Sequence, residues 1–424
     1  MAEAFSATRA VINPPDFGII RLMIPVDEAV RIVLEQTGPL EAERVALHDS
    51  LGRVLAEDIS ADTDLPPFDR AQMDGYAVRS DDLKEVPARL RVVGEAAAGR
   101  GWRGTLRAGE AVRIMTGAPL PSGADGVQQV ELTREEEGGS FVVLERATEP
   151  GQFFVPRASE VREGATVLEA GTRLNAAMTA ALASFGYAEP LVRRRPRVSV
   201  LATGSELVRV EERPGEDEIR DSNSYSLAAY AALAGACAER LPLAGDDPEL
   251  LQTTISRAAE TSDVLVLSGG VSMGVYDFTK TALRALGAEI FFERVALRPG
   301  KPTVFARLGR TLVFGLPGNP VSVSVTFNLF ARAALLAMQG ERDAALKEET
   351  ALLARAVKGA AERASYLPAR LFTDDAGRQL AEPLRWGGSS DFVAFARATA
   401  LVIVPAGVKT IDEGSVVRVV RLPG

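Results

Sequence analysis

Apolar positions along the chain fall into three successive patterns. Val26, Ala29, Val30, Val33 and Leu34 recur at helical spacing and Gly38-Pro39 ends the run, so a helix is predicted there. A second short helical stretch is expected near Leu51 to Ala56. From Asp62 to about Pro150 the spacing is that of strands. Leu90 to Val93, Val112 to Met115, Val127 to Leu132 and Phe141 to Leu144 read so, with Glu137-Gly138-Gly139 as a hairpin turn. Helical spacing returns between Asn175 and Phe185.

From Arg197 to about Gln339 strand and helix alternate. Strands are expected at Val198 to Ala202, Leu241 to Ala244, Val264 to Leu267 and Thr311 to Phe314. Helices are expected from Ser222 to about Ala238, from Pro248, from about Asp277 to Leu286, and after Asn319-Pro320. This is the pattern of a doubly wound parallel sheet, whose ligands sit at the carboxyl ends of its strands. From about Glu349 the chain reads as β again, with Asp375-Ala376-Gly377 as a turn, which predicts a small barrel or sandwich. Arg193-Arg194-Arg195-Pro196 reads as a solvated boundary, and the acidic run from Glu211 to Glu218 as an exposed loop.

Composition narrows the chemistry. The 424 residues suggest several domains, and the net charge of −9 argues against nucleic acid as a partner. His48 and Cys237 are the only residues of their kinds, which excludes His-rich zinc sites, Cys-based zinc sites and an intrachain disulfide. No uninterrupted run of 18 apolar residues occurs and the first 20 residues lack a signal pattern, so no membrane span is expected and the expected location is cytoplasmic.

Two motif matches fail on context. Gly99-Arg100-Gly101-Trp102-Arg103-Gly104 fits a dinucleotide fingerprint but opens no helix, so it reads as a surface turn. Gly270-Val271-Ser272-Met273-Gly274 fits a nucleophile elbow, but no His follows it. The stronger signal is the set of strand ends in the α/β region: Thr203-Gly204-Ser205-Glu206, Gly245-Asp246-Asp247, Ser268-Gly269-Gly270-Val271-Ser272 and Gly315-Leu316-Pro317-Gly318-Asn319-Pro320. They are expected to converge on one sheet edge. Glycines there admit a ligand to the backbone, and free N–H groups at helix starts favour anions. Glu206, Asp246 and Asp277 add carboxylates of the kind that suits Mg²⁺ bridging a phosphate. Arg298-Pro299-Gly300-Lys301-Pro302 reads as a compact oxyanion cradle.

Together these motifs, with Pro67-Phe68-Asp69, Met73-Asp74-Gly75-Tyr76-Ala77-Val78 and Arg113-Ile114-Met115-Thr116-Gly117-Ala118-Pro119, resemble those of the molybdopterin molybdenumtransferases, the MoeA family, which includes the gephyrin E domain. The resemblance implies a multidomain α/β protein. Its parts would be a flexible segment 1–21, a helical linking domain of 22–60 plus 155–192, a small β domain 61–154, a central MogA-like α/β domain 193–345 and a C-terminal β-barrel 346–424. It implies a homodimer that transfers molybdenum from molybdate to adenylylated molybdopterin, releases AMP and requires Mg²⁺.

By the same resemblance Asp74, Thr116, Glu206, Asp246 and Asp277 would be catalytic, with Asp246 and Asp277 holding the metal and Asp74 and Thr116 facing the partner's α/β domain. Ser268, Gly269, Gly270, Ser272, Pro317, Gly318 and Asn319 would bind the pterin nucleotide. Arg298, Lys301, Pro302, Arg370 and Ser389 would hold the oxyanion. Molybdopterin adenylyltransferase and molybdoenzymes or cofactor carriers are implied partners, and nucleic acid and membrane are not. Departures from the family pattern are Phe154 to Glu160, where a V-R-x-x-G-E-D segment is usual, and Arg294 and Thr399, where Lys and Asn are common. The segment 154–160 leaves a second reading, a non-catalytic pterin-binding scaffold. The sister reaction, adenylylation of molybdopterin, is disfavoured because that family has S-G-G-T-G where this chain has Ser268 to Ser272.

Overall fold

The computed structural model describes residues 23–245, 247–271 and 278–423. Two compact units emerge. One comprises the chain to Glu43, Gly52–Val54 and Arg193 onward; the other comprises Arg44–Leu51 and Leu55–Val192.

The second unit is built on a six-stranded sheet. Its spatial order is Gly126–Gln129, Gly75–Val78, Glu110–Ile114, Ala88–Ala96, Phe141–Leu144 and Thr133–Glu136. Neighbours are antiparallel except the Ala88–Ala96 and Glu110–Ile114 pair. The hairpin expected at Glu137 to Gly139 joins its last two strands, and Gly138 takes φ +65° there. A separate apolar cluster of Leu55, Ile59, Leu174, Leu182 and Val192 anchors the helix Ala176–Ser184, whose N-cap Asn175 accepts from Met178 N–H. The stretch 51–56 is a turn with isolated bridging, not a helix; a 3₁₀ turn, Leu47–Asp49, precedes it and carries the exposed His48.

In the first unit a six-stranded sheet runs Cys237–Arg240, Arg197–Ala202, Val264–Ser268, Thr311–Leu316, Val304–Leu308 and Glu289–Phe292. The first four are parallel; Val304–Leu308 pairs antiparallel with the fourth and Glu289–Phe292 antiparallel with Val304–Leu308. Side chains alternate between two buried faces. Val198, Val200, Val264, Val266 and Phe314 face the helices Asn223–Leu233 and Pro320–Thr326, while Leu201, Leu265, Leu267 and Val313 face Pro248–Thr261 and Phe278–Ala285. The helix Val26–Glu35 buries Ala29 and Val33 in the first of these cores.

Three expectations change here. The edge strand is Cys237–Arg240, not Leu241 to Ala244, and the preceding helix stops at Leu233. An edge strand with exposed Glu239 and Arg240 lacks the apolar signature that marked its neighbours. The run Arg193 to Arg195 is not a free linker: Arg194 grips both oxygens of Asp263 at 2.6 and 2.8 Å and also reaches Glu41 at 2.7 Å. Finally, among the described residues one helical segment, Pro320–Met338, is long and apolar enough to cross a membrane, but 89% of its apolar window is buried in this core. It passes through a π-helical stretch at Phe327–Ala331.

The C-terminal part of the same unit is a closed five-stranded barrel of Glu348–Leu353, Ala364–Thr373, Gln379–Pro383, Ala400–Val404 and Val416–Arg421. Its interior is apolar, and Tyr366, Leu401 and Ile403 on its outside join the α/β core.

Burial raises the Asp263 carboxyl, but Arg194 and the Arg197 N–H outweigh it and hold it below its ordinary value. Arg194→Ala leaves that half-buried carboxylate short of its main partner. A loss of about 2 kcal/mol in unfolding free energy is expected by denaturant titration.

Candidate active site

The carboxyl ends of the parallel strands meet as expected. Thr203 N–H donates to Ser268 O at 2.9 Å, Gly204 N–H to Ala244 O at 3.2 Å, and Gly269 N–H to Leu316 O at 3.1 Å. The fit is tight enough to require glycine. A Cβ on Gly269, at φ +98°, would lie 2.4 Å from Thr203 O, and one on Gly270 would lie 2.5 Å from Thr279 Oγ1. Glu206 is exposed at this edge, its carboxylate folded over Gly204. Asp247 is a helix cap, accepting from Glu249 and Leu250 N–H. Asp246, Ser272 and Asp277 lie outside the described residues.

Beyond Gly318 the edge opens into a cavity of about 880 Å³ between the α/β sheet and the barrel. Arg298, Lys301, Pro302, Pro317, Asn319 and Ser389 line it. Asn319 Nδ2 donates to Ser389 Oγ at 2.9 Å, and Val321 N–H to Ser389 O at 3.0 Å, so the two layers are joined at the cavity wall. The Ser389 loop is closed by Asp391, which accepts from Gly387 N–H at 2.7 Å and Ala394 N–H at 3.1 Å. Those two bonds hold its carboxyl below the ordinary range. Gly300, at φ +115°, shapes the Arg298–Lys301 turn; a Cβ there would lie 2.4 Å from Thr326 Cγ2.

Arg370 is not part of this wall. It sits on the exposed side of its barrel strand, paired with Glu382 at 3.0 Å, and that acid also meets Arg355 at 3.2 Å. The cation that the strand Ala364–Thr373 brings to the cavity stands just before it: Arg363, which reaches Leu297 O at 3.5 Å. Arg355, Lys358 and Arg385 complete a wall of six cations among the described residues. Arg363 precedes this strand and Arg370 lies within it; residue type alone does not tell them apart.

In the other unit Asp74 and Thr116 form a clamp. Thr116 donates its N–H at 2.6 Å and its hydroxyl at 2.7 Å to Asp74 Oδ1. These bonds hold the exposed carboxyl below its usual value. A shallow pocket lined by Met73, Thr116, Gly117 and Phe153 adjoins it.

Three family models match most of the chain. Residues 24–186 match the MoeA N-terminal region (domains I and II), 199–337 the probable molybdopterin binding domain, and 350–422 the MoeA C-terminal region (domain IV). The molybdopterin molybdenumtransferase of Bacillus subtilis is 38% identical over 409 residues, 95% of each chain. The protein of the same description from a Nostoc species is 36% identical over 90% of this chain and 89% of its own. The chain belongs to the molybdopterin molybdenumtransferase family. Members of this family are transferases of molybdenum cofactor biosynthesis, and this chain is an enzyme of that class. A crystal structure of a molybdopterin biosynthesis MoeA protein from Pyrococcus horikosii, 32% identical, superposes with TM-score 0.81 over 95% of this chain and all of its own.

Charge-assisted contacts are each worth about 1.5–3 kcal/mol, so on the function proposed below Arg298→Ala or Lys301→Ala is expected to weaken molybdate binding roughly 10- to 100-fold. Arg370→Ala is expected to change it less than about twofold, measured by equilibrium dialysis. The carboxyls of Asp74 and Asp391 should titrate by NMR below 3.8. Because each value is depressed in the folded state, the clamp and the Ser389 loop hold above the ordinary aspartate range and loosen only as pH falls through the depressed values.

Proposed function

We propose that the protein transfers molybdenum from molybdate to adenylylated molybdopterin, yielding molybdenum cofactor and AMP, with Mg²⁺ required. The observation that carries this reading is the continuity, through Gly318, Asn319 and Ser389, of a glycine-lined strand edge with a cavity walled by Arg298, Lys301 and Arg363. One half suits a nucleotide phosphate, the other a compact dianion.

In this reading Arg298, Lys301 and Ser389 hold molybdate beside the dithiolene sulfurs of the pterin. The Ser268–Gly270 and Pro317–Asn319 turns hold the adenylyl phosphate. Asp246 and Asp277, which lie outside the described residues, would hold Mg²⁺, and Glu206 would act together with them. Mg²⁺ is held through one or two carboxylates and completes its shell with substrate phosphate and water. When bound, Mg²⁺ neutralises charge on the phosphate as AMP departs. Sulfur arrives with the substrate, so a chain with one His and one Cys lacks nothing the reaction needs.

The enzyme acts as a homodimer in this proposal, with the Asp74–Thr116 clamp of one copy facing the α/β edge of the other, and it works in the cytoplasm. Recipient molybdoenzymes, cofactor carriers and molybdopterin adenylyltransferase are the partners it implies.

The segment 154–160 supports a second reading, a pterin-binding scaffold without turnover. Arg157 is engaged by Asp64 at 2.6 Å and, through its N–H, by Asp69 at 2.8 Å, and Glu160 faces Arg70 at 3.5 Å. Its cation is therefore tied up within its own unit. The two readings separate in one assay. Purified protein given adenylylated molybdopterin, molybdate and Mg²⁺ is expected to release AMP stoichiometrically with cofactor formed. Retained pterin binding without AMP release, under conditions where the Bacillus subtilis relative turns over, would select the scaffold.

A further inference from the structure

We infer that Asn223 is a positioning residue that straps the two glycine-bearing turns of the strand edge to each other; its consequence for nucleotide binding rests on the function proposed above. Asn223 opens the helix Asn223–Leu233, and its side chain is bound to two turns from elsewhere in the chain. Nδ2 donates to Ser268 Oγ at 2.9 Å and to Gly318 O at 2.7 Å. The orientation of the amide follows from its partners: a carbonyl oxygen can only accept, so nitrogen must face Gly318.

The helix start that presents this amide is itself fixed. Asp221 accepts from Ser224 N–H at 3.0 Å and from the Ser224 hydroxyl, and both residues are buried. Asn223 Oδ1, by contrast, is buried and accepts no hydrogen bond among the described residues.

The geometry defines that role. Ser268 and Leu316 are paired in register at the ends of neighbouring parallel strands, and beyond them the chain leaves the sheet in two separate turns. Among the described residues, backbone bonding between these turns ends with Gly269 N–H to Leu316 O. Past that point Asn223 provides side-chain bonds to both, and Gly318 lies close enough that a Cβ on it would touch Gly269 Cα at 3.7 Å. Asn319, the next residue, is held separately through Ser389. The strap therefore acts on the turns and leaves the cation cavity to its own supports.

Two measurements on Asn223→Ala and the isosteric Asn223→Asp, which cannot donate, test this. Amide hydrogen exchange is expected to speed up at least tenfold at residues 268–270 and 318, with the rest of the sheet unchanged. Calorimetric titration with AMP and Mg²⁺ is expected to show at least tenfold weaker binding, while molybdate affinity stays within twofold. Unchanged exchange at both turns in Asn223→Ala overturns the strap, whatever the ligand. An equal loss of AMP and molybdate affinity together with a lowered Tm also overturns it, because that is the signature of general destabilisation. If the wild-type protein does not bind AMP, the functional reading falls, and the exchange measurement still decides the role of Asn223.

Discussion

The backbone of Gly269 passes so close to the Thr203 carbonyl that no side chain fits between them. This one contact sets the terms for the site. It lets the first and third turns of the strand edge lie against each other, and it leaves them thin, backbone-lined and open to a ligand. A side chain there would push the Ser268 turn away from Asn223 and from Gly318, and with them from the segment that leads to Ser389. The shape of the strand edge thus depends on a residue that contributes no functional group.

The buried sheet behind this edge explains why such a constraint holds. Valine, leucine and phenylalanine fill both faces of its central strands, and the apolar helix Pro320–Met338 runs through one of the two cores. A strand packed on both sides cannot slip register without moving its whole hydrophobic set, so strand ends emerge at fixed heights. The barrel adds its outer face to the same core, which fixes the Arg363 end of its strand relative to the Arg298 turn.

How much of this was legible beforehand follows from the kind of signal each element emits. Continuous apolar runs such as Val264 to Leu267 announce buried strands, and Pro248 or Asn319-Pro320 announce helix starts; these elements stand where pattern put them. The strand Cys237–Arg240 emits no such signal because an edge needs only half its residues buried, and the apolar Leu241 to Ala244 beside it drew the expectation instead. Arg194 looked solvated because its partners, Asp263 and Glu41, are 69 and 153 residues distant. The glycine turns were readable as motifs, since close approach leaves few residue choices. The cation wall was only half readable. Arg298 and Lys301 lie in one turn, whereas finding Arg363 at the wall requires knowing where a barrel strand begins.

The closed barrel has one more consequence. A sheet without free edges keeps its hydrogen bonding whatever side chains project from its rim, and Arg355, Lys358, Arg363 and Arg385 project from such connections and ends. The grip on the glycine edge and the lining of the cavity are therefore separable inheritances. Evolution can retune the cavity for an oxyanion of another radius or charge by exchanging rim residues alone, while the sheet that presents the strand ends stays untouched.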